Sequence, residues 1–388
     1  MKKVLLKGPI LTNSGYGVHS RQVFKALRTI NDIDLYVQST MWGNTSWILD
    51  DNFDNGIIAS IVKYCHKSKK GLKYDTSYQV MLPSEWQTIA DKNIGITAGF
   101  EANIVKSSWI DSCNNMDHVI VPSEFSRNAF ITTSINCNKK IITNMSVVNE
   151  WYYDEFDKDI SNEEYLIDLK YDKNILIIGQ ICSINSYECD RKNILKTVSV
   201  AAEFVKDKDI GIILKVNLGS YSVSSFNKIK DVLKELLPDD VLKKVAIVFG
   251  SLDVKELKSL YEHKKISCML SGTSAEGWGL PFIEAASCGM RTIAPNFSAY
   301  KEFLGNDFLK IEYDMKIVSK EYSNFFDEDT SPLWSNFRED SMKKCLRDFF
   351  KNEDIYIENS NRLKSIIKQN YNMLSIIEDY KKVFESNF

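Results

Sequence analysis

Short apolar runs, each bounded by polar or turn-forming residues, alternate with segments of helical period in two successive series along the chain. This rhythm demands parallel sheets covered on both faces. A parallel pair of strands needs a long crossover, usually a helix, and strands buried on both sides read as continuous apolar runs. The first series opens with a strand at Lys3–Lys7, passes a loop of small residues, and continues as a helix from about Val18 to Ile30, where Val23, Phe24, Leu27 and Ile30 recur at helical spacing. Further strands are expected at DLYVQ near Asp34, QVMLP near Gln79, IGITAG near Ile94, HVIVPS near His118 and IITNMSVV near Ile141. The second series comprises NILIIGQ near Ile175, GIILKVN near Ile212, VAIVFG near Val245, ISCMLSG near Ile266 and RTIAPN near Thr292. Between the two lies an acidic, irregular stretch from Trp151 to Lys173, expected to connect them. The expectation is an α/β protein of two Rossmann-like, doubly wound parallel-sheet domains, residues 1–155 and 172–369, with a polar, helix-periodic tail of which a helix over about 370–388 packs back on the first domain.

Composition bounds the function classes. With 388 residues, two cores are the default, since single cores usually stop growing at about 250–300 residues. Hydrophobic residues make up 44% and charged residues 26%, as in ordinary globular proteins. No apolar run reaches the roughly 18 residues of a spanning helix, so no integral membrane segment is expected. MKKVLLKGPILTNSGYG is interrupted by Lys7 and Pro9 and reads as a first strand rather than a leader. The eight cysteines are scattered without a C-x-x-C pair or a nearby histidine cluster, which points to reduced thiols in a cytoplasm and to neither a disulfide framework nor structural zinc. A net charge of -3 removes the simplest argument for nucleic-acid binding but leaves room for a local basic patch.

Chemistry concentrates between Ile266 and Asn296, ISCMLSGTSAEGWGLPFIEAASCGMRTIAPN. A buried strand runs into a loop of small residues, and a helix is expected to start at about Pro281, because proline suits the first helical turn. Gly277, Trp278, Gly279 and Leu280 then offer backbone N–H groups at a helix N-terminus, a natural anion site for a diphosphate. Glu276 precedes that helix and Glu284 lies about one turn into it, so two carboxylates flank one bound molecule. Carboxylates repel phosphate, which leaves sugar hydroxyls as their targets. The phosphates need cations, and the candidates are Arg191 and Lys192 in CDRKN and Lys215 closing GIILK.

The run E-G-W-G-L-P-x-x-E-A-x-x-x-G resembles the paired-glutamate signature of glycosyltransferase family 4, retaining enzymes of the GT-B fold. That resemblance implies two Rossmann-like domains facing a central cleft that closes over a nucleotide-sugar, no essential metal or other cofactor, Glu276 on the transferred sugar and Glu284 on the ribose hydroxyls. The family's basic pair is only partly matched: Gln180 stands where an arginine is usual, and Lys192-Asn193 replaces a K-G step. Ser14–Gly17, with Gly15 and Gly17, is similar to the family's N-terminal glycine loop, and VPSEFSRNAF to the segment before its interdomain linker. An ordinary tight turn explains the glycines equally well.

Three further features bear on mechanism. His19 opens the first helix, where a helix N-terminus would lower its pKa, and a base role there is the rival of a structural one. Glu101 in ITAGFEAN stands where many relatives carry a histidine near the sugar, and is a candidate for the reaction centre. The pairs Asp32/Asp34 and Asp327/Asp329 have metal-site spacing but follow no buried strand and read as turn or surface carboxylates. The five lysines in KYCHKSKKGLK, from Lys63 to Lys73, form either a solvated loop or a contact to phosphates.

The function expected is retaining transfer of a sugar from a nucleotide-diphosphate donor, UDP-sugar favoured, to a hydroxyl. GPILTNSGYGVHSRQVF and the abundance of Lys, Asn and Ile resemble glycosyltransferases of T4-like phages, which implies hydroxymethylated cytosine in duplex DNA as acceptor and a host cytoplasm as setting. A base inside a duplex would have to be flipped out. Surface polysaccharide, glycolipid or protein acceptors, a GT-B epimerase and a non-catalytic sugar-nucleotide sensor stay open. The sequence leaves the oligomeric state unspecified.

Overall fold

A computed structural model describes residues 1–67, 71–158, 169–184, 189–219 and 222–386. The chain divides into two compact units, one of Met1–Trp151, Tyr322–Pro332 and Asn370–Phe388, the other of Tyr152–Glu321 and Leu333–Gln369. Much of the acidic connection, residues 159–168, and the centre of the lysine run, residues 68–70, lie outside the described residues. Segment 322–332 folds with the first unit although it follows every strand of the second sheet, which no local pattern announces.

The first unit contains β1 (Lys2–Gly8), β2 (Ile33–Ser39), β3 (Tyr74–Val80), β4 (Ala90–Ile96), β5 (His118–Val121) and β6 (Asn144–Val147). These pair in the order β2-β1-β3-β4-β5-β6, every pair parallel. Alternation along a strand sends neighbours to opposite faces. Thus Ile120 joins a core with Val4, Leu6, Val23 and Phe24, while Val119 and Val121 join another with Trp109, Ile110 and Phe130. The helix Gly15–Leu27 covers the former face beside the helix Met373–Ser386, which contributes Ile376, Ile377, Tyr380 and Phe384.

The second unit contains β7 (Asn174–Gln180), β8 (Gly211–Asn217), β9 (Val245–Val248), β10 (Ile266–Leu270), β11 (Thr292–Pro295) and β12 (Leu309–Ile311). Their order is β12-β11-β10-β7-β8-β9, again parallel. A small antiparallel pair, β13 (Tyr313–Ile317) with β14 (Leu333–Phe337), is added. From β7 the chain winds outward through β8 and β9, then returns to β10 on the other side and winds out through β11 and β12. The loops following β7 and β10 therefore diverge at a topological switch point, where doubly wound sheets leave a crevice at their carboxyl edge. Among the described residues no helix is long and apolar enough to cross a membrane.

Candidate functional site

Both loops at the switch point of the second unit carry the residues singled out by the sequence. β10 is buried throughout and ends in a loop that leads to the helix Leu280–Ser287, with Pro281 in its first turn. Gly279 caps that helix at φ 102°, a left-handed conformation that favours glycine, and a Cβ there would lie 3.1 Å from the Phe282 ring. The Trp278 side chain is turned inward, its ring centroid 4.8 Å from that of Phe303, so only its backbone serves the loop surface.

The loop after β7 is tied to the loop after β10 by named bonds. Asp190 accepts from the Cys182 N–H at 3.0 Å and from the Ile194 N–H at 2.7 Å, bracketing Arg191 and Lys192. Asn193, in the left-handed region at φ 49°, donates through Nδ2 to the Gly272 carbonyl and to Ser274 Oγ, each at 2.8 Å. Ser274 N–H returns a bond to the Arg191 carbonyl at 2.8 Å. Asp190 and Ser274 are not among the sequence candidates, and Asn193 enters there only as a departure from the K-G step. Asp190 and Asn193 flank the two cations in CDRKN, and their strong tendency to fix turns was the available signal.

This stitching sets the cations on Glu276. Its carboxylate is buried, with Lys192 Nζ 2.5 Å from Oε1 and also bonded to Oε2. Thr273 Oγ1 donates to Oε1 at 2.9 Å, and Arg191 Nη1 lies 4.0 Å from Oε2 while donating to the Ala275 carbonyl at 2.8 Å. The Glu276 N–H donates to Ser298 Oγ at 3.0 Å. Burial alone would raise the carboxyl's pKa, but the Lys192 ammonium and the Arg191 guanidinium outweigh it and hold the group below the usual glutamate range. Glu276 is an anion at neutral pH.

Glu284 has the opposite environment. It is buried in the helix Leu280–Ser287, the Tyr261 hydroxyl donates to its Oε2 at 3.2 Å, and burial pushes it up to about 8, with that hydrogen bond opposing. Lys215 Nζ donates at 2.6 Å to the carbonyl of Gly250, beyond β9, and burial pulls the ammonium down to about 8. In the second unit, then, Arg191, Lys192 and Glu276 converge beside the Gly277–Leu280 turn, while Lys215 is anchored one strand outward from β7.

The first unit positions the remaining candidates. Ser14 caps the helix Gly15–Leu27 by accepting from the Gly17 N–H at 3.0 Å. A Cβ on Gly17 would lie 2.2 Å from the Thr12 carbonyl oxygen, whereas Gly15 faces open space. Between them Tyr16 reaches across the sheet's carboxyl edge, its hydroxyl 2.9 Å from Thr97 Oγ1 and accepting from the Ala98 N–H at 3.1 Å. Burial raises the Tyr16 pKa, and the nearby half-buried Glu101 carboxylate adds to the shift. Gly17, Tyr16 and Glu101 therefore share one edge.

His19 corrects the expectation of a base. Its ring is only 2% exposed, Nε2 is 2.8 Å from the Tyr380 hydroxyl, Nδ1 is 3.8 Å from Glu150, and burial, not a helix terminus, pulls its pKa down to about 3. A neutral imidazole so enclosed braces the helix Met373–Ser386. Of the metal-like pairs, Asp34 is bonded by Lys67 and Tyr36, each at 2.6 Å, and Asp327 accepts from the Ser107 N–H at 2.7 Å, both in local structural roles.

Residues 226–314 match the family model for glycosyl transferases group 1, a segment that takes in β9 to β12 and both glutamates. No curated protein matches the sequence. Among solved structures, the sucrose-phosphate synthase of Thermosynechococcus elongatus superposes with a TM-score of 0.64 at 10% identity, covering 100% of this chain and 99% of that one. A glycosyltransferase from Rickettsia africae gives 0.62 at 13% identity, covering 99% and 98%. HepE of Anabaena, solved in complex with UDP and glucose, gives 0.56 at 11% identity and covers 100% of both chains. At such identities the likeness establishes the fold alone, two Rossmann-like domains of the GT-B class. With a group 1 glycosyl transferase segment set in that fold, the chain is a glycosyltransferase.

Proposed function

We propose that the protein transfers a sugar from a UDP-sugar to a hydroxyl acceptor with retention at the anomeric carbon. The observation that carries the donor side is the convergence of Lys192, Arg191 and an ionised Glu276 beside a glycine-capped helix N-terminus at the sheet's switch point. Two cations and a helix N-terminus suit a diphosphate, and a carboxylate suits a sugar hydroxyl. Structures of the Anabaena relative in complex with UDP and glucose and with UDP-glucose support uridine as the nucleotide. Retention is carried over from the resemblance of the Glu276–Glu284 run to family 4 enzymes.

In this reading the bond from the anomeric carbon to the β-phosphate oxygen breaks, its electron pair leaves with UDP, and the acceptor oxygen bonds the same carbon. The acceptor proton goes to the departing phosphate. Lys192, Arg191 and the helix N-terminus stabilise charge growing on UDP, an effect of pre-placed groups that needs no reorganisation. Glu276 orients the sugar and Glu284 takes the ribose hydroxyls. Nucleotide release tests the reading: the protein is incubated with UDP-, GDP- and ADP-sugars, with and without acceptors, hydroxymethylated duplex DNA among them because the amino-terminal resemblance implies it. Glu276→Ala is expected to lower turnover at least tenfold and Glu284→Ala to raise donor KM. Silence with every donor, or wild-type kinetics in both variants, would sink the assignment.

A further inference from the structure

In the first unit, the chain between β2 and the helix Phe53–Lys67 turns large apolar side chains outward: Met41 is 74%, Trp47 44% and Leu49 84% exposed. Three such residues within nine, one of them tryptophan, exceed the scattered singletons of an ordinary surface. The backbone beneath them is fixed. Asn13 N–H donates to the Ser46 carbonyl at 2.9 Å and Ile48 N–H to the Leu11 carbonyl at 2.8 Å, making an antiparallel bridge between Thr12 and Trp47. Trp42 stacks on Tyr16 at 4.1 Å and 22°, and Ile48 packs into the core. With Ile48 turned in, the extended chain turns Trp47 and Leu49 out. The exposed residues therefore sit on a rigid support beside the Gly15–Gly17 turn.

Charge selects among partners. From Thr40 to Asn52 the chain has two carboxylates, the exposed Asp50 and Asp51, and no lysine, arginine or histidine. Such a surface repels duplex DNA, which carries a negative charge about every 1.7 Å. It repels an anionic membrane for the same reason. A neutral carbohydrate fits instead: the weakly positive C–H face of a sugar ring rests on the negative face of an indole, and its hydroxyls donate to carboxylates.

We infer that Met41–Asp51 is a platform that binds a neutral carbohydrate as the acceptor. Calling it the acceptor rests on the transferase reading; the binding itself does not. An array of neutral oligosaccharides, with hydroxymethylated duplex DNA and anionic lipid vesicles alongside, is probed with the wild type, Trp47→Ala, Trp47→Phe and Glu276→Gln. The expected result is binding of at least one neutral glycan, weakened tenfold or more by Trp47→Ala, largely restored by Trp47→Phe and kept by Glu276→Gln. Because Trp47 is exposed, equal melting temperatures are expected to separate this loss from unfolding. The platform is overturned if the wild type binds no glycan, if Trp47→Ala binds equally well, or if the binding that Trp47→Ala abolishes is to DNA or vesicles. Tryptophan-dependent glycan binding without nucleotide release from any donor would sink the transferase reading and leave the platform standing.

Discussion

Glu276 and Glu284 are eight positions apart in sequence and opposite in ionisation, because one has two cations at hand and the other only a phenol. The clamp on Glu276 has a testable cost. Lys192→Met leaves a buried carboxylate short of its ammonium, and denaturant titration is expected to show a loss of about 3 kcal/mol, part of it recovered when Glu276→Gln is added. For Glu284 the folded-state pKa of about 8 stands above the unfolded value near 4.5, so the folded chain holds the extra proton between those limits. Its contribution to stability is therefore fully present below pH ~4.5 and is lost as pH rises through ~8. Melting temperatures measured from pH 5 to 8 are expected to fall less steeply in Glu284→Gln than in the wild type. The placement of the glutamates was legible because it depends on a short strand-turn-helix run. The enclosure of His19 was not, since its partner Tyr380 lies 361 residues away. Nor could the end of GIILK reveal that Lys215 donates to the Gly250 carbonyl.

Elements were legible where one residue pattern answered to one burial pattern. β7, β8 and β10 read directly as apolar runs because side chains on both their faces are buried. β12, three residues long, and the β13–β14 pair, with Met315 and Ile317 exposed, carry too little periodicity to be seen. The glycine turn shows what an element's start demands. Gly17→Ala drives a methyl against the Thr12 carbonyl and is expected to cost about 1–3 kcal/mol, whereas Gly15→Ala, with nothing near its Cβ, should change stability by less than about 0.5 kcal/mol. Paired chemical denaturation curves check the contrast. If both substitutions are equally costly, the turn is tight for a reason other than the Thr12 contact.

At the scale of the whole molecule, the helix Met373–Ser386 places Ile376, Ile377, Tyr380 and Phe384 in the core of the first unit. Burying four such side chains is worth roughly 6–12 kcal/mol, comparable with the entire stability of a domain. A chain truncated after Asn370 is therefore expected to lose the first unit's cooperative unfolding transition, with rapid proteolysis between β1 and β6 as the readout. The same helix has a consequence for biogenesis. A ribosome adding about 5–20 residues per second releases the amino-terminal sheet long before its last covering helix. The half made first is completed only once residues 373–386 have emerged, so until then a nascent chain holds Tyr78 and Trp151 without their ring partners Phe384 and Tyr380.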